Sequence, residues 1–241
     1  MEKVSIKGID FLRFSKLSVY QPLFHVFTTR LLPFKLRNEK DRKHLASLLD
    51  VPQILFPDQT HGDDYFLLPA KPTPGVSPPK ADILLTQNSS WGAGILVADC
   101  VPILFFDPQK RCFALAHVGW RGALLHTHKK AVRLLWKHFK TSPEQLFVGL
   151  GPSIKSCCFE VGQDIAERFL ERDSQSVILR NDRFFVDLTG FIERELCAMG
   201  VSRHNIEIAP WCTSCEQDLF YSFRREKERA DRMALIAWLR N

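Results

Sequence analysis

The chain has 241 residues, 45% hydrophobic and 25% charged, enough apolar material for a sizeable core in one large or two small domains. Its formal charge of +6 comes from Lys and Arg scattered along the chain, with no basic block, so phosphate-like anions suit it and nucleic acid is not an expected partner. Charges at Glu2, Lys3, Lys7, Asp10 and Arg13 break up any signal-peptide core, no segment is apolar long enough to span a bilayer, and an odd count of 7 cysteines suggests reduced thiols; a cytoplasmic location is expected.

The stretch from Pro69 to Pro79, with Pro72, Pro74, Gly75, Pro78 and Pro79, predicts a loop within a domain. Short apolar runs bounded by Gly, Asp or Pro predict strands at Ile83 to Thr86, Gly94 to Val97, Val101 to Phe106, Phe113 to Val118 and Leu146 to Leu150. After Gly122 the spacing of Leu125, Val132, Leu135, Trp136 and Phe139 becomes helical, with Lys and Arg between them, and the helix should end before Pro143. Further helices are predicted over Asp164 to Leu170 and Leu188 to Met199, the second stopped by Gly200. Met233 to Leu239 fits a closing strand or a short helix, and periodicity alone does not choose. Strands and helices intermingle, which places the fold in the α+β class.

Four stretches put reactive side chains beside Gly or Pro at the ends of apolar strands: Asp58-Gln-Thr-His-Gly62, Ala98-Asp-Cys-Val-Pro102, Ala116-His-Val-Gly-Trp-Arg-Gly122, and Gly151-Pro152 leading to Cys157-Cys158-Phe159-Glu160. A strand that ends on a polar residue and turns sharply aims that residue into the space above the sheet. His61, Cys100 and His117 together would offer two imidazoles and a thiolate, a zinc ligand set with one open position, and Asp99 could orient a ligand from behind. The same residues also fit Cys100 as nucleophile with a His base and Asp99 as helper, or Cys100 as a small buried hydrophobe. Arg121, where strand gives way to helix, is a candidate anion ligand or a surface ion pair. Cys212 and Cys215 form a lone C-x-x-C without a second pair at ribbon-like spacing, read as two structural thiols. Arg224 and Arg225 follow an aromatic group, and His126, His128 and His138 are expected at the surface or its boundary.

These stretches resemble the YfiH-like family, also described as laccase-domain or multicopper polyphenol oxidoreductase proteins. The resemblance rests on Gln59-Thr-His-Gly62, Ala81-Asp-Ile-Leu-Leu-Thr86, Ala98-Asp-Cys-Val-Pro102, His117-Val-Gly-Trp-Arg-Gly122, the run from Gly151 to Gly162, and Cys212-Thr213 with Phe220-Tyr-Ser-Phe-Arg-Arg225. They stand in family order within residues 55 to 240. The resemblance implies a single α+β domain over residues 1 to 241, of mixed sheets layered with helices, and His61, Cys100 and His117 as metal ligands. It implies zinc, with copper the less favoured metal because the motifs supply few histidines. It further implies phosphorolysis of purine nucleosides such as adenosine, inosine and methylthioadenosine, with adenosine deamination as a companion activity. Cys100, Asp99 and Arg121 would then be catalytic, and Arg121, with Arg30, would bind phosphate or substrate oxygens.

The chain departs from the family after His25-Val-Phe-Thr-Thr-Arg30, where Leu31-Leu-Pro-Phe34 replaces a Gly-Gly pair, and again at Ala230-Asp231-Arg232, where a Gly-Arg pair is typical. Two other functions stay open: a cysteine hydrolase or amidase, which the resemblance would direct to peptidoglycan precursors, and a weakly active binding protein with an altered loop after Arg30.

Overall fold

The computed structural model describes residues 1–51, 53–71 and 78–240. The N-terminal part holds β1 (Glu2–Ile6), β2 (Ile9–Arg13), α1 (Ser15–Ser18), β3 (Leu23–Phe27), α2 (Glu39–Leu48), β4 (Ile54–Leu55) and β5 (Tyr65–Leu67). The middle holds β6 (Ile83–Thr86), β7 (Gly92–Val97), β8 (Val101–Asp107), β9 (Cys112–Val118), α3 (Trp120–Leu124), α4 (Thr127–Phe139) and β10 (Phe147–Leu150). There follow β11 (Glu160–Val161), α5 (Gln163–Leu170), β12 (Val177–Arg180), β13 (Arg183–Val186), α6 (Leu188–Ala198), β14 (Ile206–Ile208), α7 (Phe223–Glu226) and β15 (Met233–Leu239). One sheet runs β1-β2-β3-β15-β7-β4, a second runs β14-β10-β8-β9-β6-β5, and a small third runs β11-β13-β12.

The two large sheets lie face to face, and each is backed by helix. On β8, Leu104 and Phe106 point inward to meet Phe27, Ile95 and Leu235 of the first sheet. The alternate residues Ile103 and Phe105 point outward to Val132 and Leu135 of α4 and Phe191 and Ile192 of α6. On the outer face of the first sheet, Val26, Ile236 and Trp238 pack with Leu45 and Leu49 at α2. Strands covered on both faces need apolar side chains at nearly every position, which is why β15 is apolar throughout and β8 and β9 are apolar but for Asp107 and His117 near their ends. Each fully buried Leu or Phe contributes about 1.5–3 kcal/mol. Gly149 on β10 lets Phe14 approach: a Cβ there would sit 2.5 Å from its ring.

The mixed architecture is the α+β arrangement expected, and Met233–Leu239 is a strand paired on both sides, by β3 and β7. The helix expected after Gly122 is in fact two. His126 takes a left-handed conformation (φ 58°) between α3 and α4, so Leu125 falls in the corner and is 55% exposed; Trp136 is 54% exposed. The cause of the corner is Glu195 on α6, which accepts hydrogen bonds from His126 (2.9 Å), His128 (2.7 Å) and Lys129 (2.7 Å). His128 is therefore buried, contrary to the expectation that it lies at the surface. Of the Pro-rich loop, residues 72–77 lie outside those described.

Candidate metal centre and active site

Between β7 in the first sheet and β8 in the second, only Ala98, Asp99 and Cys100 carry the chain across. So short a crossing holds Asp99 at φ 90°, a positive value that Asp tolerates better than most residues. Its carboxylate accepts from Thr213 Oγ1 (2.6 Å), Ser222 Oγ (3.1 Å) and the Arg224 amide (2.6 Å), which fixes the turn and presents Cys100 to the gap between the sheets.

His117 lies next to the last residue of β9, on the inward face it shares with Phe113 and Leu115. Asp82 stands beside it just before β6 and is fully buried. The His117 Nδ1–H donates to Asp82 Oδ1 at 2.8 Å, which leaves Nε2 as the ligand atom. The same carboxylate accepts from the Thr60 amide (3.2 Å) and hydroxyl (2.9 Å), and from the His61 (3.1 Å) and Gly62 (2.8 Å) amides. One buried acid thus orients both histidines, and it holds His61 at φ 60°. Gly119 closes the site from the α3 side: a Cβ there would stand 2.9 Å from Cys100 Sγ and 3.5 Å from the His61 ring. The ligand atoms of His61, Cys100 and His117 all lie within 4.8 Å of one another, with the two imidazole rings at 75°.

The electrostatics suit a thiolate. Burial pushes the Cys100 thiol up, but the His117 charge and hydrogen bonds to His117 and His61 outweigh it and bring it to about 6. Burial works against charge on His117, and the Cys100 thiolate and the Asp82 carboxylate reverse that, raising it to about 9. For Asp82, burial is likewise overcome by its donors, and the carboxyl is held at about 2. Two imidazoles and one thiolate, with the far ring nitrogen of one imidazole already held by the Asp82 carboxylate, fit a borderline-soft divalent metal.

The three residues line a cavity of about 780 Å³. Arg121 lines it too, with its guanidinium 4.7 Å over Trp120, and it forms no ion pair among the described residues. Arg42, Arg224, Lys227 and Arg232 add positive charge, while Leu96, Ile154, Phe159, Leu188 and Phe223 form apolar wall. Arg30 does not reach the cavity: it bonds the Gln217 carbonyl (2.6 Å) and Glu226 (3.0 Å) and lies over Tyr221. Nor do residues 31–41, where the Gly pair is missing, line the cavity; Leu32 and Leu36 are buried there against the α2 side of the first sheet. Asp99 lines the cavity, yet its oxygens are turned to Thr213, Ser222 and Arg224, so the carboxylate behind the ligands is Asp82 and not Asp99. Asp82 was visible in the Ala81-Asp-Ile-Leu-Leu-Thr86 motif, but nothing in its spacing assigned it to His117. Arg42 and Lys227 carried no signal of their own, and Arg232 stood out only within Ala230-Asp231-Arg232, where the chain departs from the family.

Residues 36–240 match the family described as multi-copper polyphenol oxidoreductase laccase. The chain belongs to this YfiH-like family. Among its relatives, Purine nucleoside phosphorylase YfiH of Escherichia coli is 30% identical over 83% of this chain and 80% of its own. Adenosine deaminase RL5, from an unknown prokaryotic organism, is 30% identical over 73% of this chain and 71% of its own. The crystal structure of YlmD from Geobacillus stearothermophilus superposes with a TM-score of 0.84 at 25% identity, covering 96% of both chains. Among the described residues no helix is long and apolar enough to cross a membrane.

Proposed function

We propose that this chain is a zinc-dependent purine nucleoside phosphorylase acting on adenosine, inosine or methylthioadenosine, with adenosine deamination at the same site. The observation that carries this reading is the His61, Cys100 and His117 cluster on the wall of a cavity that also holds five basic side chains and an apolar wall. Its volume of about 780 Å³ suits a nucleoside with phosphate beside it. The names of the relatives agree with a nucleoside-processing role. The free thiols fit a reducing compartment such as the cytoplasm.

In phosphorolysis an oxygen of hydrogen phosphate bonds to the sugar C1′, the bond from C1′ to the base breaks, and its electron pair leaves with the base, which takes up the proton the phosphate gives up. Arg121 binds phosphate oxygens, helped by Arg224, Lys227 and Arg232, while Phe159 and Phe223 flank the purine. Asp82 keeps the Nδ1 proton of His117 in place, and Gly119 leaves the room that Cys100 and His61 need. Zinc held by His61, Cys100 and His117 would supply a Lewis acid with an open position, the chemistry that deamination requires. Zinc fits better than copper: only two of the chain's 8 histidines line the cavity, and no methionine lines it to serve as the axial ligand of a blue-copper site. The test is base release from inosine or methylthioadenosine with and without phosphate; zinc-loaded protein that releases no base in a phosphate-dependent way refutes the proposal.

One observation favours a second reading. Cys100 Sγ lies within 4.8 Å of a ligand nitrogen of His117, whose Nδ1 is hydrogen-bonded to Asp82, so thiol, imidazole and carboxylate stand in the order of a cysteine hydrolase. It demands that Cys100 be alkylated rapidly in metal-free protein, and a thiol that resists labelling there excludes it.

A further inference from the structure

The vicinal pair Cys157-Cys158 and the C-x-x-C pair Cys212 and Cys215 are distant in sequence, and the fold puts all four at one place. Their sulfurs lie within 4.8 Å of one another, with Cys215 Sγ at 3.6 Å from that of Cys157 and 3.4 Å from that of Cys158. Four thiolates around one zinc at about 2.3 Å stand about 3.8 Å apart, a spacing these sulfurs can reach with small side-chain shifts. The group is separate from the His61, Cys100 and His117 cluster and shares no residue with it. At the base of the group the surroundings favour a thiolate on Cys212. The Lys155 amide donates to Cys212 Sγ at 3.4 Å. The Lys155 ammonium lies close enough to Cys212 and Cys157 for their charges to interact, bonds only the Thr189 hydroxyl (3.4 Å), and has no carboxylate ion pair among the described residues. Cys157 and Cys215 are exposed, so an ion can enter from solvent, while Cys212 is buried at the base.

We propose that Cys157, Cys158, Cys212 and Cys215 form a second metal site, a closed tetrathiolate centre for zinc or a similarly thiophilic divalent cation. Binding replaces four thiol protons, released to solvent, with four metal–sulfur bonds, and needs no oxidant. The lone C-x-x-C is thereby given the second pair that sequence spacing did not show. The ion would pin together two loops already joined by the Thr213 amide donating to the Ser153 carbonyl at 3.1 Å. Both loops hold the crossing turn: the Ile154 amide donates to the Asp99 carbonyl (3.0 Å) and Thr213 to its carboxylate. Ile154 and Phe159, at either end of the first loop, line the cavity, so the centre would stiffen one wall of it without touching substrate.

The experiment is metal analysis of zinc-equilibrated full-length protein after removal of loosely held ion, together with alkylation of the same sample and mass mapping of the labelled cysteines. About two zinc ions per chain are expected in the wild type. His61→Ala should lose one, Cys212→Ser with Cys215→Ser should lose the other, and the triple variant should lose both. In wild-type protein the four cysteines should resist alkylation until a strong chelator is added, a readout that needs no variant to fold. Because His61→Ala reports on the other site alone, failure of the phosphorylase reading leaves this result intact. The proposal is overturned if the double cysteine variant holds as much zinc as the wild type, if the four thiols alkylate as fast with zinc as without, or if they are found joined in disulfides in protein isolated under reducing conditions.

Discussion

Replacing Asp82 by Asn tests the claim that one buried carboxylate organises both histidine ligands. Asp82 accepts from His117 Nδ1, the Thr60 amide and hydroxyl, and the His61 and Gly62 amides, all between 2.8 and 3.2 Å. Asparagine keeps one acceptor oxygen and turns an NH₂ donor toward backbone N–H groups that cannot accept from it. The folded carboxyl sits at about 2 against an ordinary 3.8, a shift that corresponds to about 2 kcal/mol of stability. The sign follows: the folded pKa is lowered, so this stability is full above pH 4 and is lost as the pH falls toward 2. Removing the charge forfeits it at neutral pH, and the stranded donors bring the expected loss to about 3–5 kcal/mol. Loss of the partner that orients His117 should also weaken zinc binding about 10- to 100-fold. Urea unfolding of metal-free protein reads the first quantity and competition with a chromogenic chelator the second. Asp99→Asn is the comparison: its carboxylate bonds Thr213, Ser222 and Arg224 and holds the turn before Cys100 without touching a histidine, so it should cost stability and weaken zinc binding less than Asp82→Asn does. Equal zinc affinity in Asp82→Asn and wild type, or a loss as large in Asp99→Asn, refutes the reasoning.

Three further outcomes are expected. Arg121→Ala should raise the KM for phosphate by about tenfold or more with little change in Tm, because its guanidinium faces the cavity and supports no ion pair; Arg30→Ala should do the reverse, as steady-state kinetics and thermal melts of both variants will show. His25 is buried, accepts the Phe14 amide at 2.9 Å, and is depressed to about 4, first by burial and then by the nearby Arg13 charge. Its folded pKa is lowered, so the protein should lose about 3 kcal/mol as the pH falls from about 6.5 to 4, in a denaturation series from which His25→Gln removes that slope. Gly149→Ala should destabilise by about 1–3 kcal/mol, since its Cβ would meet the Phe14 ring at 2.5 Å, while turnover per folded molecule stays unchanged.

Where neighbours in sequence are neighbours in space, the elements were legible from the chain alone. The apolar runs that became β6 to β9 and the periodicity that became α6 were visible because burial on both faces, or on one helical face, writes itself into consecutive residues. The first 50 residues gave weaker signals: β1 alternates half-buried and exposed positions at a sheet edge, and α2 has only Leu45 and Ala46 buried. The break between α3 and α4 had no local cause, because it depends on Glu195, far along the chain on α6.

The candidate metal ligands were named by residue type, strand-end placement and motif, all properties of the sequence. What the sequence could not decide was orientation. Asp82 and Asp99 both sit next to ligand-bearing strands, and only the pairing of β6 with β9 turns Asp82 onto His117 while the crossing between the sheets turns Asp99 away. Arg30 and Arg121 looked alike as cations beside turns; packing sends one to Glu226 and the other to the cavity. The four cysteines follow the same rule, since contacts between loops more than fifty residues apart leave no periodic mark on the chain. Local chemistry is therefore a sequence property, and convergence is a property of the tertiary fold.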